Sequence, residues 1–169
     1  MRKFLAVLLL LPVMALAQTA APKKAAAKPA GPAPVVVTPD KIQWGPAPAI
    51  FPPGAQFAVL AGDPGKPAPY AVRLKFPANY AIPAHSHPTD EHVVVTSGAV
   101  TFGMGDKLTK GAAANKTLGV GGFALMPTGM NHFAYTSEAS TIVLYGQGPV
   151  EFKYVNPADD PRNAKTSSR

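Results

Sequence analysis

The sequence predicts an all-β protein, built as a sandwich or a small barrel of short antiparallel strands. The chain of 169 residues contains 20 prolines and 15 glycines, and both residue types break helix interiors. Across residues 50–154, short apolar or alternating runs are separated by Gly, Pro or Asn. After the first 17 residues, no run places apolar side chains at helical spacing. These observations argue against a helical bundle.

The strand signals follow one another along the body of the chain. Residues 70–76 alternate apolar and polar side chains, which is typical of a half-buried strand. Further strands are predicted at 93–96, 99–102, 123–126 and 141–145. Ser97-Gly98 has the composition of a tight turn, and residues 105–122 form a long polar interruption that predicts a surface loop.

The first 17 residues predict a secretory signal peptide. Arg2 and Lys3 precede an apolar run at 4–11, and Ala15 and Ala17 form a small-x-small cleavage site. The run is shorter than the roughly 20 residues a membrane span needs. We therefore expect cleavage after Ala17, a periplasmic or secreted protein, and no stable membrane insertion afterwards.

The remaining chain divides into a linker, one domain and a tail. Residues 18–34 are rich in Ala, Pro and Lys and predict a semi-extended linker, 35–155 form the barrel domain, and 156–169 form a polar tail, loose beyond Pro161. Five of the 16 basic residues lie in the first 34, so the rest carries 11 basic and 9 acidic residues. This balance gives no support for nucleic-acid binding. The absence of Cys excludes disulfides, iron–sulfur clusters and Cys-ligated zinc.

All four histidines fall in two short segments, 85–92 and 127–132. In an extended chain, side chains two residues apart share a face, so His85 and His87 point the same way. Glu91 has the same parity, whereas Asp90 and His92 should point elsewhere. Two imidazoles and a carboxylate, completed by His132 from another strand, predict a site for a borderline divalent metal ion.

The spacing of these residues resembles the two motifs of the cupin superfamily. The first motif is G-x5-H-x-H-x3,4-E-x6-G; His85, His87, Glu91 and Gly98 fit it, and Asn79 replaces its opening Gly. Asn tolerates the left-handed backbone that Gly would supply. The second motif is G-x5-P-x-G-x2-H-x3-N; Gly121, Pro127, Gly129 and His132 fit it, and Thr136 replaces its closing Asn.

The resemblance implies a cupin-type double-stranded β-helix, or jelly-roll barrel, with one metal held by His85, His87, Glu91 and His132. Such a ligand set suits Fe, Mn, Ni, Cu or Zn without choosing among them. In similar dioxygenases, the counterpart of Glu91 acts as a base, so Glu91 is also the candidate catalytic residue. Cupins commonly form homodimers, for which residues 35–37 and Trp44 are candidate interface elements.

Three functions remain open from the sequence. The first is a metal-dependent enzyme, dioxygenase-like or an isomerase or lyase, acting on a small enolisable, phenolic or carboxylate compound. The second is a non-catalytic module that senses or binds a metal or ligand, and the third is a barrel whose metal only adds stability. Candidate cavity walls are Val93, Val95, Phe102, Phe123, Met126, Tyr135 and Tyr145. Arg73 and Lys75 are candidate anchors for a substrate carboxylate, with an outward position as the alternative.

Overall fold

The computed structural model describes residues 33–164, and the predicted signal peptide and nearly all of the linker lie outside this range. Within it, eleven strands form two antiparallel sheets, and the only helices are three-residue 3₁₀ turns, so the all-β prediction is confirmed. The strands are β1 (Gly45–Pro46), β2 (Gln56–Ala61), β3 (Pro69–Phe76), β4 (Ala81–Ser86), β5 (Glu91–Ser97), β6 (Val100–Met104), β7 (Lys116–Leu118), β8 (Phe123–Met126), β9 (His132–Tyr135), β10 (Ser140–Gln147) and β11 (Lys153–Tyr154). No helix in this range is long and apolar enough to cross a membrane.

The two sheets form a jelly roll. The six-stranded sheet has the order β1-β2-β3-β10-β5-β8, and the five-stranded sheet has the order β11-β4-β9-β6-β7. The chain passes from one sheet to the other at Gly98, whose φ of 66° is in the left-handed region. The Ser97-Gly98 turn therefore joins β5 and β6 as a corner between sheets and not as a hairpin.

The core lies between the inner faces of the two sheets. Strand β3 shows how the sequence builds it, because Tyr70, Val72, Leu74 and Phe76 are all buried, as their alternation predicts. Each such buried side chain contributes about 1.5–3 kcal/mol through removal of apolar surface from water. The pairing of β3 with β10 extends over eight residues and fixes this register.

Asn79 and Thr136 shape the turn that leads into β4. Asn79 has a φ of 62°, the left-handed conformation expected at a position where the cupin motif has Gly. Thr136 is buried, and its hydroxyl donates to the Pro77 carbonyl at 2.9 Å and accepts from the Tyr80 amide at 3.1 Å. A threonine thus ties this turn to the end of β9.

The ends of the domain lie on its outside. Residues 35–37 are exposed, and Trp44 lies beneath the cations of Lys75 and Arg73 on the outer face of the six-stranded sheet. In the tail, 3₁₀ turns cover Pro157–Asp159 and Pro161–Asn163, and residues 165–169 lie outside the described range. Part of the predicted surface loop 105–122 is also regular, because it contains the edge strand β7.

Candidate metal centre

Three histidines and Glu91 are brought together by the two sheets. His85 lies on β4, directly opposite His132 at the start of β9, and His87 follows the end of β4. Glu91 opens β5 in the other sheet. All four side chains are buried. The structure therefore assembles the four residues that the motif spacing predicts as ligands.

The backbone fixes the tautomer of each imidazole. The Nδ1 atoms of His85, His87 and His132 lie 2.7, 2.8 and 3.0 Å from the carbonyl oxygens of Pro83, Glu151 and Met130. Because a carbonyl oxygen can only accept, each Nδ1 carries the hydrogen. A neutral ring bonded in this way presents the lone pair of Nε2, which is the form that ligates a metal.

The free faces of the three rings converge. One ligand nitrogen from each ring lies within 4.8 Å of the other two. Glu91 completes the cluster, with Oε1 3.4 Å from His87 Nε2 and Oε2 3.6 Å from His132 Nε2. His87 Nε2 is buried without a hydrogen-bond partner in the described part of the chain. The imidazole nitrogens and the carboxylate oxygens are all acceptors, and burying acceptors that face one another is unfavourable unless a cation lies between them. A divalent metal ion is a cation that suits these ligands.

The charge states agree with this arrangement. Burial, followed by the nearby His132 and His87 rings, lowers the pKa of His85 to about 3, so this ring is neutral at ordinary pH. Burial works to raise the pKa of the Glu91 carboxyl, but the facing His87 and His132 rings, when they carry a proton on Nε2, outweigh it and lower the pKa to about 2. An ionised carboxylate beside a neutral imidazole is a suitable donor set for a metal.

Two neighbours of the cluster point elsewhere, as parity predicts. Asp90 accepts from the Thr128 amide at 2.8 Å and from its hydroxyl at 3.0 Å, which makes it a turn residue. His92 is on the outer face of the sheet, where its ring stacks on Tyr145 with 4.9 Å between centroids.

The predicted walls are only partly correct. Val93 and Phe102 line the interior beside the cluster, and Val95 and Met126 are buried in the core. The prediction is wrong for Phe123 and Tyr145, which are exposed on the outside, and for Tyr135, whose hydroxyl accepts from the Gly111 amide outside the barrel. Arg73 and Lys75 also face outwards, so neither anchors a substrate at the cluster.

Phe51 and Phe152 are wall residues that the sequence analysis missed. Both line the interior, and their rings are 4.8 Å apart in an edge-to-face contact. Each lies in an irregular segment outside the strands, so no alternation marks them. The one signal in the sequence that could have marked them as buried is an isolated Phe in a Pro-rich or polar stretch.

Comparison with known proteins decides the family. The family model described as the ChrR cupin-like domain matches residues 32–151, which is well over half of the chain. The chain belongs to this cupin family. No functionally curated protein matches the sequence.

Solved structures with this cupin's fold share little sequence with it. The polyketide cyclase RemF from Streptomyces resistomycificus has a TM-score of 0.59 at 17% identity, over 75% of this chain and 88% of that one. A putative acetylacetone dioxygenase from Methylibium petroleiphilum has a TM-score of 0.59 at 20% identity, over 78% and 88%. An RmlC-like cupin from Shewanella frigidimarina has a TM-score of 0.52 at 14% identity, over 66% and 87%. At these identities the likeness establishes the fold alone.

Proposed function

We propose that this cupin is an exported, metal-dependent enzyme of the dioxygenase type, acting on a small enolisable, phenolic or carboxylate compound. The observation that carries the proposal is the buried set of three imidazoles, each with its Nδ1 hydrogen committed to a carbonyl, facing one ionised carboxylate. Packing alone does not explain this arrangement, because apolar residues would fill the same space without burying a charge.

His85, His87, His132 and Glu91 would hold the metal. Three nitrogens and one oxygen suit iron, manganese, nickel, copper or zinc in the divalent state. A divalent ion held there supplies Lewis-acid or redox chemistry to a bound organic anion.

The residues themselves have defined tasks in this proposal. The three carbonyls keep each ring in a ligating orientation, so the site needs little rearrangement. Glu91 is ionised and can accept a proton from a substrate carbon or hydroxyl at its free lone pairs. The apolar walls, including Val93 and Phe102, exclude water and strengthen the attraction for an enolate or phenolate. Two of the structural neighbours carry the names of a cyclase and a dioxygenase, which supports an enzyme of this kind.

The first test measures the metal content of the protein purified from its native host. We expect close to one transition-metal ion per chain in the wild type, and a loss of most of it in Glu91→Ala and His132→Gln. His92→Gln is the matched control, because His92 lies outside the cluster and its loss should leave the metal content unchanged. Equal metal in all four proteins, or none in the wild type, would contradict the site.

The second test measures catalysis. Oxygen uptake is followed with the metal-loaded protein and a panel of 1,3-dicarbonyls, catechols and flavonols, with Glu91→Gln as the inactive variant. Consumption of oxygen that depends on both the metal and Glu91 supports the dioxygenase proposal. Full metal occupancy with no turnover of any member of the panel refutes it.

A non-catalytic binding module is the second candidate, and the small interior of the barrel favours it. The cavity beside the cluster has a volume of about 20 Å³, which is too small for an organic substrate. A sensor or carrier of the metal alone needs no more space than this. Metal binding that changes the oligomeric state without any turnover would support this candidate.

Export is part of the proposal, because residues 1–17 have the pattern of a signal peptide. N-terminal sequencing of the protein from the envelope of its host should begin at Gln18. An intact Met1 would contradict export by this route.

A further inference from the structure

The interior next to the metal centre is almost filled by side chains. Its lining is apolar apart from His85, Glu91 and His132, and the volume of about 20 Å³ holds no organic molecule. An organic ligand therefore reaches the imidazoles only after a side chain moves.

Phe152 is the side chain that covers the imidazoles. It is buried, and its ring is almost parallel to that of His85, with 4.3 Å between centroids and 10° between planes. The same ring meets His87 edge-on at 4.7 Å. Among the described residues, no other phenylalanine makes a ring contact with the three histidines of the cluster.

Phe152 also differs from most other wall residues in what holds it. Leu74, Val93, Phe102 and Leu144 sit within strands and cannot leave without breaking the sheets. Phe152 lies just before β11, in the segment that follows β10, and makes no strand pair. Its carbonyl accepts from Arg162 Nη2 at 3.1 Å, and Arg162 is itself paired with Asp160 at the surface. The backbone on either side is held by the Val150 amide, which donates to the Pro64 carbonyl at 2.7 Å, and by the pairing of β11 with β4, so the part of this segment that is free to move is the Phe152 ring.

We propose that Phe152 sets the size of the ligand that reaches the metal centre. With the ring seated on His85 and His87, a ligand of two or three atoms fits, and a carbon skeleton enters only when the ring swings away. This inference rests on the proposed metal site and adds a gate to it. The apparent Kd of a ligand that needs the open state is its intrinsic Kd divided by the fraction of molecules that are open. The affinity of a very small ligand does not depend on that fraction.

The test compares a small and a larger ligand in the cobalt(II)-loaded protein, followed by the visible spectrum. The ligands are azide and acetylacetone, and the variants are Phe152→Ala and the matched control Phe76→Ala. Phe76 is as buried as Phe152 and lines the same cavity, but its ring contact is with Tyr80. We expect Phe152→Ala to bind acetylacetone at least about 10-fold more tightly than the wild type. Azide binding should change less than about 2-fold in every protein.

Two outcomes overturn the proposal. One is equal acetylacetone affinity in the wild type and Phe152→Ala, and the other is an equal gain in Phe76→Ala. If either alanine variant fails to fold, the pair Phe152→Leu and Phe76→Leu gives the same comparison with a smaller gain.

A metal-free measurement separates this gate from the metal site itself. Fluorobenzene is titrated into the apoprotein and observed by ¹⁹F NMR. We expect saturable binding to Phe152→Ala and none to the wild type, because removing the ring leaves a benzene-sized space beside the apolar wall. Failure to bind any metal would sink the proposed function and leave this result standing, whereas fluorobenzene binding to the wild type would refute the gate alone.

Discussion

Replacing Thr136 by Val tests how the turn before β4 is held. Val keeps the shape of the side chain and removes the hydroxyl, which donates to the Pro77 carbonyl and accepts from the Tyr80 amide. Thr136 and Tyr80 are both buried, so water cannot replace the lost partner. A buried amide without a partner costs about 1–3 kcal/mol, and the loss of the donor to Pro77 adds to it. We expect Thr136→Val to lower the free energy of unfolding by about 2–3 kcal/mol and Tm by about 10 °C.

The assay is urea unfolding followed by the fluorescence of Trp44, the single tryptophan. The midpoint should fall while the dependence on urea stays the same, which shows that only stability has changed. Thr136→Ser keeps the hydroxyl and should lose less than about 1 kcal/mol, the value of one buried methyl group. A Thr136→Val protein within about 0.5 kcal/mol of the wild type would refute the view that these two hydrogen bonds brace the turn.

Three further predictions concern the turn, the packing and the acid stability. Asn79→Ala should lower the free energy of unfolding by about 1–2 kcal/mol in the same urea assay, because φ is 62° at this position and Ala tolerates that left-handed conformation poorly. Asn79→Gly should lower it by less, and equal losses would contradict this. Gly103→Ala should lower the free energy of unfolding by roughly 1–3 kcal/mol or more, since the added Cβ would lie 2.1 Å from the buried ring of Phe133. An unchanged Tm would show that the ring moves aside freely. In the metal-free protein, stability should be full above pH 6.5 and fall as the pH drops towards 3, because the unfolded His85 ring takes up a proton that the folded ring refuses. A pKa of about 3 in the folded state makes this loss about 3 kcal/mol at pH 4.5, and His85→Gln should flatten the thermal melting profile between these pH values.

The residues of the candidate metal centre could be predicted largely from local geometry. Parity along an extended chain places His85, His87 and Glu91 on one face, and the structure brings them within reach of one another. The position of His132 came from the spacing of the second motif, since no local pattern says that β9 lies beside β4. The alternation of β3 was equally informative, because its outward positions are Arg73, Lys75 and a small Ala71.

The sequence analysis wrongly placed Phe123 and Tyr145 on the cavity wall, because alternation fails where both faces of a strand are apolar. Strand β8 has the sequence Phe-Ala-Leu-Met, which is apolar on both faces, so alternation cannot say which face is buried. The structure buries Ala124 and Met126 and leaves Phe123 and Leu125 exposed. Tyr145 follows the same logic at the end of β10, where it meets His92 on the outer face.

Long-range contacts were beyond any local pattern. Phe152 is more than 60 residues from His85 and His87, and it reaches them through an irregular segment whose path no periodicity describes. Thr136 shows that a departure from the motif can still preserve the turn. It departs from the residue the motif expects, yet its hydroxyl makes two hydrogen bonds that hold the turn together.

The three imidazoles are not held in the same way, and the difference connects the proposed gate to the candidate metal centre. His85 donates to the Pro83 carbonyl within β4, and His132 donates to the Met130 carbonyl just before β9, so each of these hydrogen bonds is local to its own segment. His87 donates to the carbonyl of Glu151, which is the residue immediately before Phe152. A movement of this segment large enough to unstack Phe152 therefore also removes the group that orients His87. His87 Nε2 in turn lies 3.4 Å from Glu91 Oε1, so the segment that carries Phe152 is coupled through His87 to two of the four residues that would hold a metal.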